Sequence, residues 1–128
     1  MTHPNLDALR TAVEAFDAGD PEGFFALLHD DVVVHMAGRH SLAGDYTGKD
    51  AVLSLFGRFP ERYSPTGSET LAMFADAGYG IVLERWSAAR GDRTLEEQVV
   101  SVLRFRDGKV SECWFIPFNQ AARDEWMA

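Results

Sequence analysis

Apolar residues recur along this chain in two rhythms. From Leu6 to Phe16 they keep helical spacing, with Leu6, Leu9, Val13 and Phe16 on one stripe. Asn5 is placed to cap that stripe and Gly19 to end it, which predicts a helix over Leu6 to Ala18. Asp20 and Pro21 open a short second helix whose buried face is Phe24, Leu27 and Leu28. Asp31 to Ala37 reads as a strand, followed by a loop punctuated by Gly38, Gly44 and Gly48. A third helix is predicted over Lys49 to Tyr63, with Val52, Leu55, Phe56 and Phe59 inward and Pro60 and Pro65 at its frayed end.

After Gly67 the rhythm shortens to period two. Thr70 to Asp76, Gly80 to Arg90, Thr94 to Arg106 and Lys109 to Phe118 read as four strands joined by glycine-bearing hairpin turns. Asn119 then caps a last helical turn or two, Gln120 to Met127. Helices first and a long antiparallel sheet afterwards is an α+β plan with the helices on one face. A strongly bent sheet leaves a cavity where it diverges from such helices.

Composition narrows the function classes. At 128 residues the chain is expected to be a single domain spanning 1–128. Hydrophobic residues make up 46%, enough for a sizeable core. A net charge of -8 and no basic stripe argue against nucleic acid as a partner. No apolar run is long enough for a membrane span, and no basic-then-apolar leader opens the chain, so a cytoplasmic location away from membranes is expected. The lone Cys113 excludes an internal disulfide and reads as a buried thiol.

The element order resembles the nuclear transport factor 2-like superfamily, and more closely its SnoaL-like and ketosteroid-isomerase-like branch. Carrying the resemblance are Ala18-Gly19-Asp20 with Phe24 and Leu27-Leu28, and Asp30-Asp31-Val32 leading to His35 and Gly38. Leu42 to Val52 and Phe105 to Val110 with Glu112 and Trp114 continue it. The resemblance implies a cone-shaped curved antiparallel sheet wrapped on three helices from the N-terminal half, a cystatin-like roll. It covers nearly the whole chain and is specific for fold rather than reaction. In the ketosteroid isomerases an Asp at the end of the first strand moves the proton, and matching Gly38 to the glycine after it puts His35 at that position. Their oxyanion-hole Tyr falls on Ala12 here and their protonated Asp on Ser101, a system that also serves as a general example of carboxyl pKa tuning. Both strong donors are therefore missing, and Ser101 offers only a weaker hydroxyl.

The candidate site follows from these matches. His35 is expected to be either a buried, hydrogen-bonded core histidine or a general base facing the cavity. Glu84 and Trp86 share a strand face. If that face is inward, Glu84 orients the His35 ring and Trp86 forms an apolar wall; if outward, Glu84 is an ordinary strand carboxylate. Ser101 is the candidate donor to a substrate carbonyl or hydroxyl. Tyr46 is expected either to close over a ligand or to anchor its loop. Phe16, Phe56, Leu103 and Trp114 are expected along the pocket wall, although the pairs Glu112/Trp114 and Cys113/Phe115 leave the inward face of the last strand open. His40 is expected at the surface or the pocket rim. A two-histidine metal site lacks a third ligand, so neither metal nor cofactor is expected. Apolar residues on both faces of the long strands point to a homodimer through the outer sheet face.

These readings converge on a small cofactor-free enzyme. It would act by general acid-base catalysis on a hydrophobic, oxygen-bearing small molecule, as an isomerase, dehydratase or cyclase. The alternative is a noncatalytic, dimeric module of the same fold that binds a small hydrophobic ligand.

Overall fold

A computed structural model of the protein describes residues 3–128. Helix α1 spans Pro4–Asp17 and α2 spans Pro21–Phe25. Strands β1 (Leu28–Met36) and β2 (Gly44–Thr47) follow, then α3 (Lys49–Arg62). Strands β3 (Thr66–Ala75), β4 (Tyr79–Arg90), β5 (Arg93–Arg106) and β6 (Lys109–Pro117) lead to α4 (Gln120–Met127). The six strands form one sheet in the order β2-β1-β6-β5-β4-β3. All neighbours are antiparallel except β1 and β6, which run parallel. This is the α+β roll that the hydrophobic pattern and the resemblance predict.

Several boundaries differ from the sequence reading, and β3 begins at Thr66 rather than Thr70. The cap of α1 is His3, whose Nδ1 accepts the Asn5 N–H at 3.0 Å. Asn5 instead lies inside the helix, buried, and its side-chain amide donates to the Asp76 and Ala77 carbonyls at the β3–β4 turn. Leu28 belongs to β1, not to the preceding helix, and pairs with Val110. The loop after β1 contains β2, a strand of four residues whose single aromatic, Tyr46, gives no readable alternation.

Irregularities in the pairing shape the sheet. Register shifts interrupt β1–β6 between Leu28 and Val33, β3–β4 between Thr70 and Ala72, and β5–β6 between Arg104 and Phe105. Such bulges bend strands and increase local twist. The helices cover the concave side, where Leu9, Leu28, Val32, Leu55 and Val110 are essentially inaccessible to water. Gly80 permits the close approach of α1: a Cβ there would lie 2.9 Å from Phe105 Cε2 and 3.1 Å from Leu9 Cδ2.

The convex side keeps its apolar residues in register. His35, Trp114, Val102, Ile81 and Phe74 lie opposite one another on successive strands. Phe74 at its end is 63% exposed, and Ile81 and Ile116 are also exposed. Cross-strand neighbours of this kind make a continuous patch rather than scattered surface residues.

Candidate functional site

A cavity of about 580 Å³ opens between the concave sheet face and the helices. That is within the range of roughly 300–1,000 Å³ that small-molecule sites occupy. Alternation along the strands decides what enters it. Strand β4 contributes Val82, Glu84 and Trp86, β5 contributes Val99, Ser101 and Leu103, and β6 contributes Cys113 and Phe115. Helices α1 and α3 contribute Phe16, Asp17, Phe56 and Phe59. Phe56 packs edge-on against Phe16, Phe24 and Phe115, so the aromatic walls form one interlocked set.

Glu84 projects a carboxyl group into this cavity. Among the described residues nothing hydrogen-bonds its carboxyl group. Burial, assisted by the negative charge of Asp17 and opposed by Arg123, pushes its pKa up to about 7. The charged form is disfavoured because an apolar wall replaces water around it. Asp17 also lines the cavity, and it accepts a hydrogen bond from Ser68 Oγ at 3.2 Å. Ser101 sits opposite Val82 and opposite Phe115, almost fully buried, with its hydroxyl unspent among the described residues. The Cys113 thiol is pushed far up by burial and stays protonated, which makes it a wall atom and not a nucleophile.

Arg123 closes one end. It lies on α4, is buried, and stands over the Trp86 ring at 5.2 Å. Its Nε is 3.0 Å from Glu97 Oε1, yet neither atom has hydrogen-bond alignment with a partner. Its Nη1 meets only the Met36 sulfur, at 3.7 Å. The guanidinium, paired with Glu97, thus stands at one end of a cavity that also holds Glu84, Asp17 and Ser101. No sequence signal marked Arg123, because a short C-terminal helix with one buried arginine has no distinctive spacing.

Several expected site residues lie elsewhere. His35 is on the convex face, not in the cavity, because Val32, Val34 and Met36 take the inward positions of β1. It has no contact with Glu84. Its Nδ1 is 2.7 Å from Asp45 Oδ1, its Nε2 is 2.6 Å from Glu112 Oε2, and its ring stacks on Trp114 at 5.3 Å. Hydrogen bonding to Glu112 first, then to Asp45, raises its pKa and favours the imidazolium. Trp114 accordingly faces outward, and Cys113 and Phe115 face in. Tyr46 does not line the cavity; its hydroxyl donates to the Leu42 carbonyl at 2.7 Å and anchors the loop. His40 is not solvated but only 6% exposed. Phe16, Phe56, Glu84, Trp86, Ser101 and Leu103 all line the cavity.

Roll, cavity and helix placement together define a small α+β pocket protein. The SnoaL-like domain matches residues 9–113, and the chain belongs to that family. Among solved structures it is similar to Bal32a, from a soil-derived mobile gene cassette. The two share 27% identity and a TM-score of 0.90, covering 98% of this chain and 97% of that one. A nuclear transport factor 2-like protein of unknown function from Burkholderia pseudomallei shares 21% identity and a TM-score of 0.87, with 99% of both chains covered. TerC, co-crystallised with polyporic acid, shares 20% identity and a TM-score of 0.84, covering 97% and 98%. None of the curated proteins matches the chain. No helix among the described residues is long and apolar enough to cross a membrane.

Proposed function

We propose that this protein is a small enzyme that moves a proton on a hydrophobic, oxygen-bearing molecule held in the concave cavity, with Glu84 as the acid-base group. The observation that carries this reading is an unbonded carboxyl group in an apolar chamber with its pKa raised to about 7. A general base is most effective when it titrates near the working pH. On this reading the Glu84 carboxylate takes a proton from the carbon beside a substrate carbonyl. The electron pair moves onto the carbonyl oxygen, and the Ser101 hydroxyl or the Arg123 guanidinium holds the resulting enolate. Glu84, now neutral, returns the proton to another carbon of the conjugated system, which completes an isomerisation. No cofactor is needed for these steps. The resemblance of the fold to an epoxide hydrolase of M. tuberculosis, at 17% identity, and to TerC supports a small-molecule site without naming a reaction.

The test is deuterium exchange. The protein is incubated in heavy water with a panel of aromatic ketones and hydroxyquinones, and incorporation is read by mass spectrometry. The expected result is catalysed exchange that Glu84→Gln abolishes and His35→Gln leaves intact. Equal exchange by the Glu84→Gln protein overturns the reading.

A second reading keeps the same pocket as a noncatalytic binding module, favoured by the absence of a Tyr or Asp donor at Ala12 and Ser101. Ligand retention without exchange by any panel member would select it. In both readings the convex row of Trp114, Val102, Ile81 and Phe74 supports homodimerisation through the sheet. Val102→Glu at the centre of that row is expected to give a folded monomer by light scattering, whereas an unchanged mass excludes this interface.

A further inference from the structure

Among the described residues, the charged side chains that line the concave cavity are Asp17, Glu84 and Arg123. Their charges do not cancel. Arg123 faces Glu97 at 3.0 Å, and Glu97 does not line the cavity. Glu97 and Asp124 both act on the guanidinium more strongly than Glu84 does. Its positive charge is therefore answered mainly by carboxylates outside the cavity.

Asp17 has no such counterweight. It makes no ion pair among the described residues, and its carboxylate accepts a hydrogen bond only from the Ser68 hydroxyl, at 3.2 Å. It is the last residue of α1, where the helix dipole is negative and no basic side chain lies in the final turn. Asp17, Gly19, Thr66, Gly67 and Ser68 are all exposed and together make the rim of the cavity.

Glu84 and Ser101 lie deeper. Val82 pairs with Ser101 and Glu84 with Val99, so Glu84 and Ser101 are diagonal neighbours on one face of β4 and β5. Ser101 is 5% exposed and lines the cavity, and its hydroxyl has no partner among the described residues. Such an unspent buried group is fitted to receive a polar atom of a ligand. At Glu84 the negative charge of Asp17 outweighs the positive charge of Arg123. The field between rim and floor is thus negative. Proton transfer to Glu84 moves one negative charge onto the substrate oxygen and leaves the total unchanged. A carboxylate carried in by the substrate adds to that total, whereas an ammonium group at the rim offsets it.

We infer that the cavity selects a carbonyl compound bearing a basic nitrogen over one bearing a carboxylate, and that Asp17 at the rim sets this preference. The inference rests on the reading of the concave cavity as the substrate site. The carbonyl lies at Ser101 and Glu84, and the charged end of the molecule lies beside Asp17 and Ser68.

The experiment uses three acetylnaphthalenes that differ only in carrying an aminomethyl, a hydroxymethyl or a carboxyl group on the far ring. Each is titrated into the full chain by calorimetry at about pH 8, above the Glu84 midpoint. The expected order of affinity is amine, alcohol, carboxylate. Amine and carboxylate should differ by about tenfold or more, the scale of one unit charge acting across a partly hydrated cavity. Asp17→Asn keeps an oxygen for Ser68 and removes the charge. It should shrink that ratio by about threefold or more and leave the alcohol unchanged, and added salt should shrink it in the natural protein. Deuterium uptake at the acetyl group is read in the same samples. Ranked binding without uptake supports this preference and overturns Glu84 as the base. Uptake with no ranking overturns the preference and leaves Glu84 in place. A carboxylate that binds as tightly as the amine, an undiminished ratio in a folded Asp17→Asn protein, or no binding by any of the three also overturns the proposal.

Discussion

Glu97 and Arg123 form an ion pair at 3.0 Å inside the protein, and the pair is held by charge more than by hydrogen bonds. Burial raises the Glu97 pKa and lowers that of Arg123, while each favours the charged form of the other. Removing one partner strands the other in a region of low polarity. Arg123→Met or Glu97→Leu alone is therefore expected to cost about 3–5 kcal/mol in urea unfolding, and the double substitution much less. Costs that simply add would show that the two groups do not interact.

Glu84 makes stability depend on pH. Its folded pKa lies above the ordinary 4.5, so the native state holds a proton that the unfolded state has released. Stability is thus lost progressively as pH rises from 4.5 through about 7. Glu84→Gln removes this loss. The variant is expected to gain on the natural protein as pH rises across that window, by at most about 3 kcal/mol at its upper end. A stability difference that stays constant with pH contradicts the assignment.

His35 acts in the opposite chemical direction with the same trend. Its pKa is raised, so the stability it contributes is fully present below about 6.5, the unfolded value, and is lost as pH rises through the higher folded value. The carboxylates that face it are Asp45 and Glu112, and Arg104 approaches Glu112 at 3.5 Å. NMR titration of the ring should give a midpoint above 6.5, falling when Glu112 becomes Gln. A midpoint at or below that value would sink the double-carboxylate account.

Gly38 is expected to resist substitution. Its φ is +120°, and an added Cβ would lie 2.3 Å from Asp124 Oδ1 and 2.5 Å from Gln120 Nε2. Those atoms hold the loop after β1 against α4. Gly38→Ala should cost about 1–3 kcal/mol from backbone strain alone. Wild-type thermal stability would show that the loop yields freely.

Much of this architecture was legible in the chain, and much of the site was not. The alternation through Val99, Ser101 and Leu103 reports burial directly, whereas in the stripe of Leu6, Leu9, Val13 and Phe16 only Leu9 is fully buried and Phe16 stays 39% exposed. The same alternation grouped Val32 with Val34 and Val33 with His35 correctly. It did not say which group faces inward, since both carry valine, and the family match assigned the wrong one. Glu84 and Trp86 were readable as sharing a face, but their role changed once His35 left the cavity. Arg123 was invisible: its importance comes from Trp86 and Glu97, distant in sequence and adjacent only after folding.

The account rests most heavily on the ionisation of one carboxyl group. Carbon-detected NMR of the Glu84 side chain across pH 4 to 9, assigned with Glu84→Gln, measures it directly. The prediction is a titration midpoint of about 7, shifting when an aromatic ligand fills the cavity. A midpoint near the ordinary 4.5 would contradict it and remove Glu84 as the acid-base group.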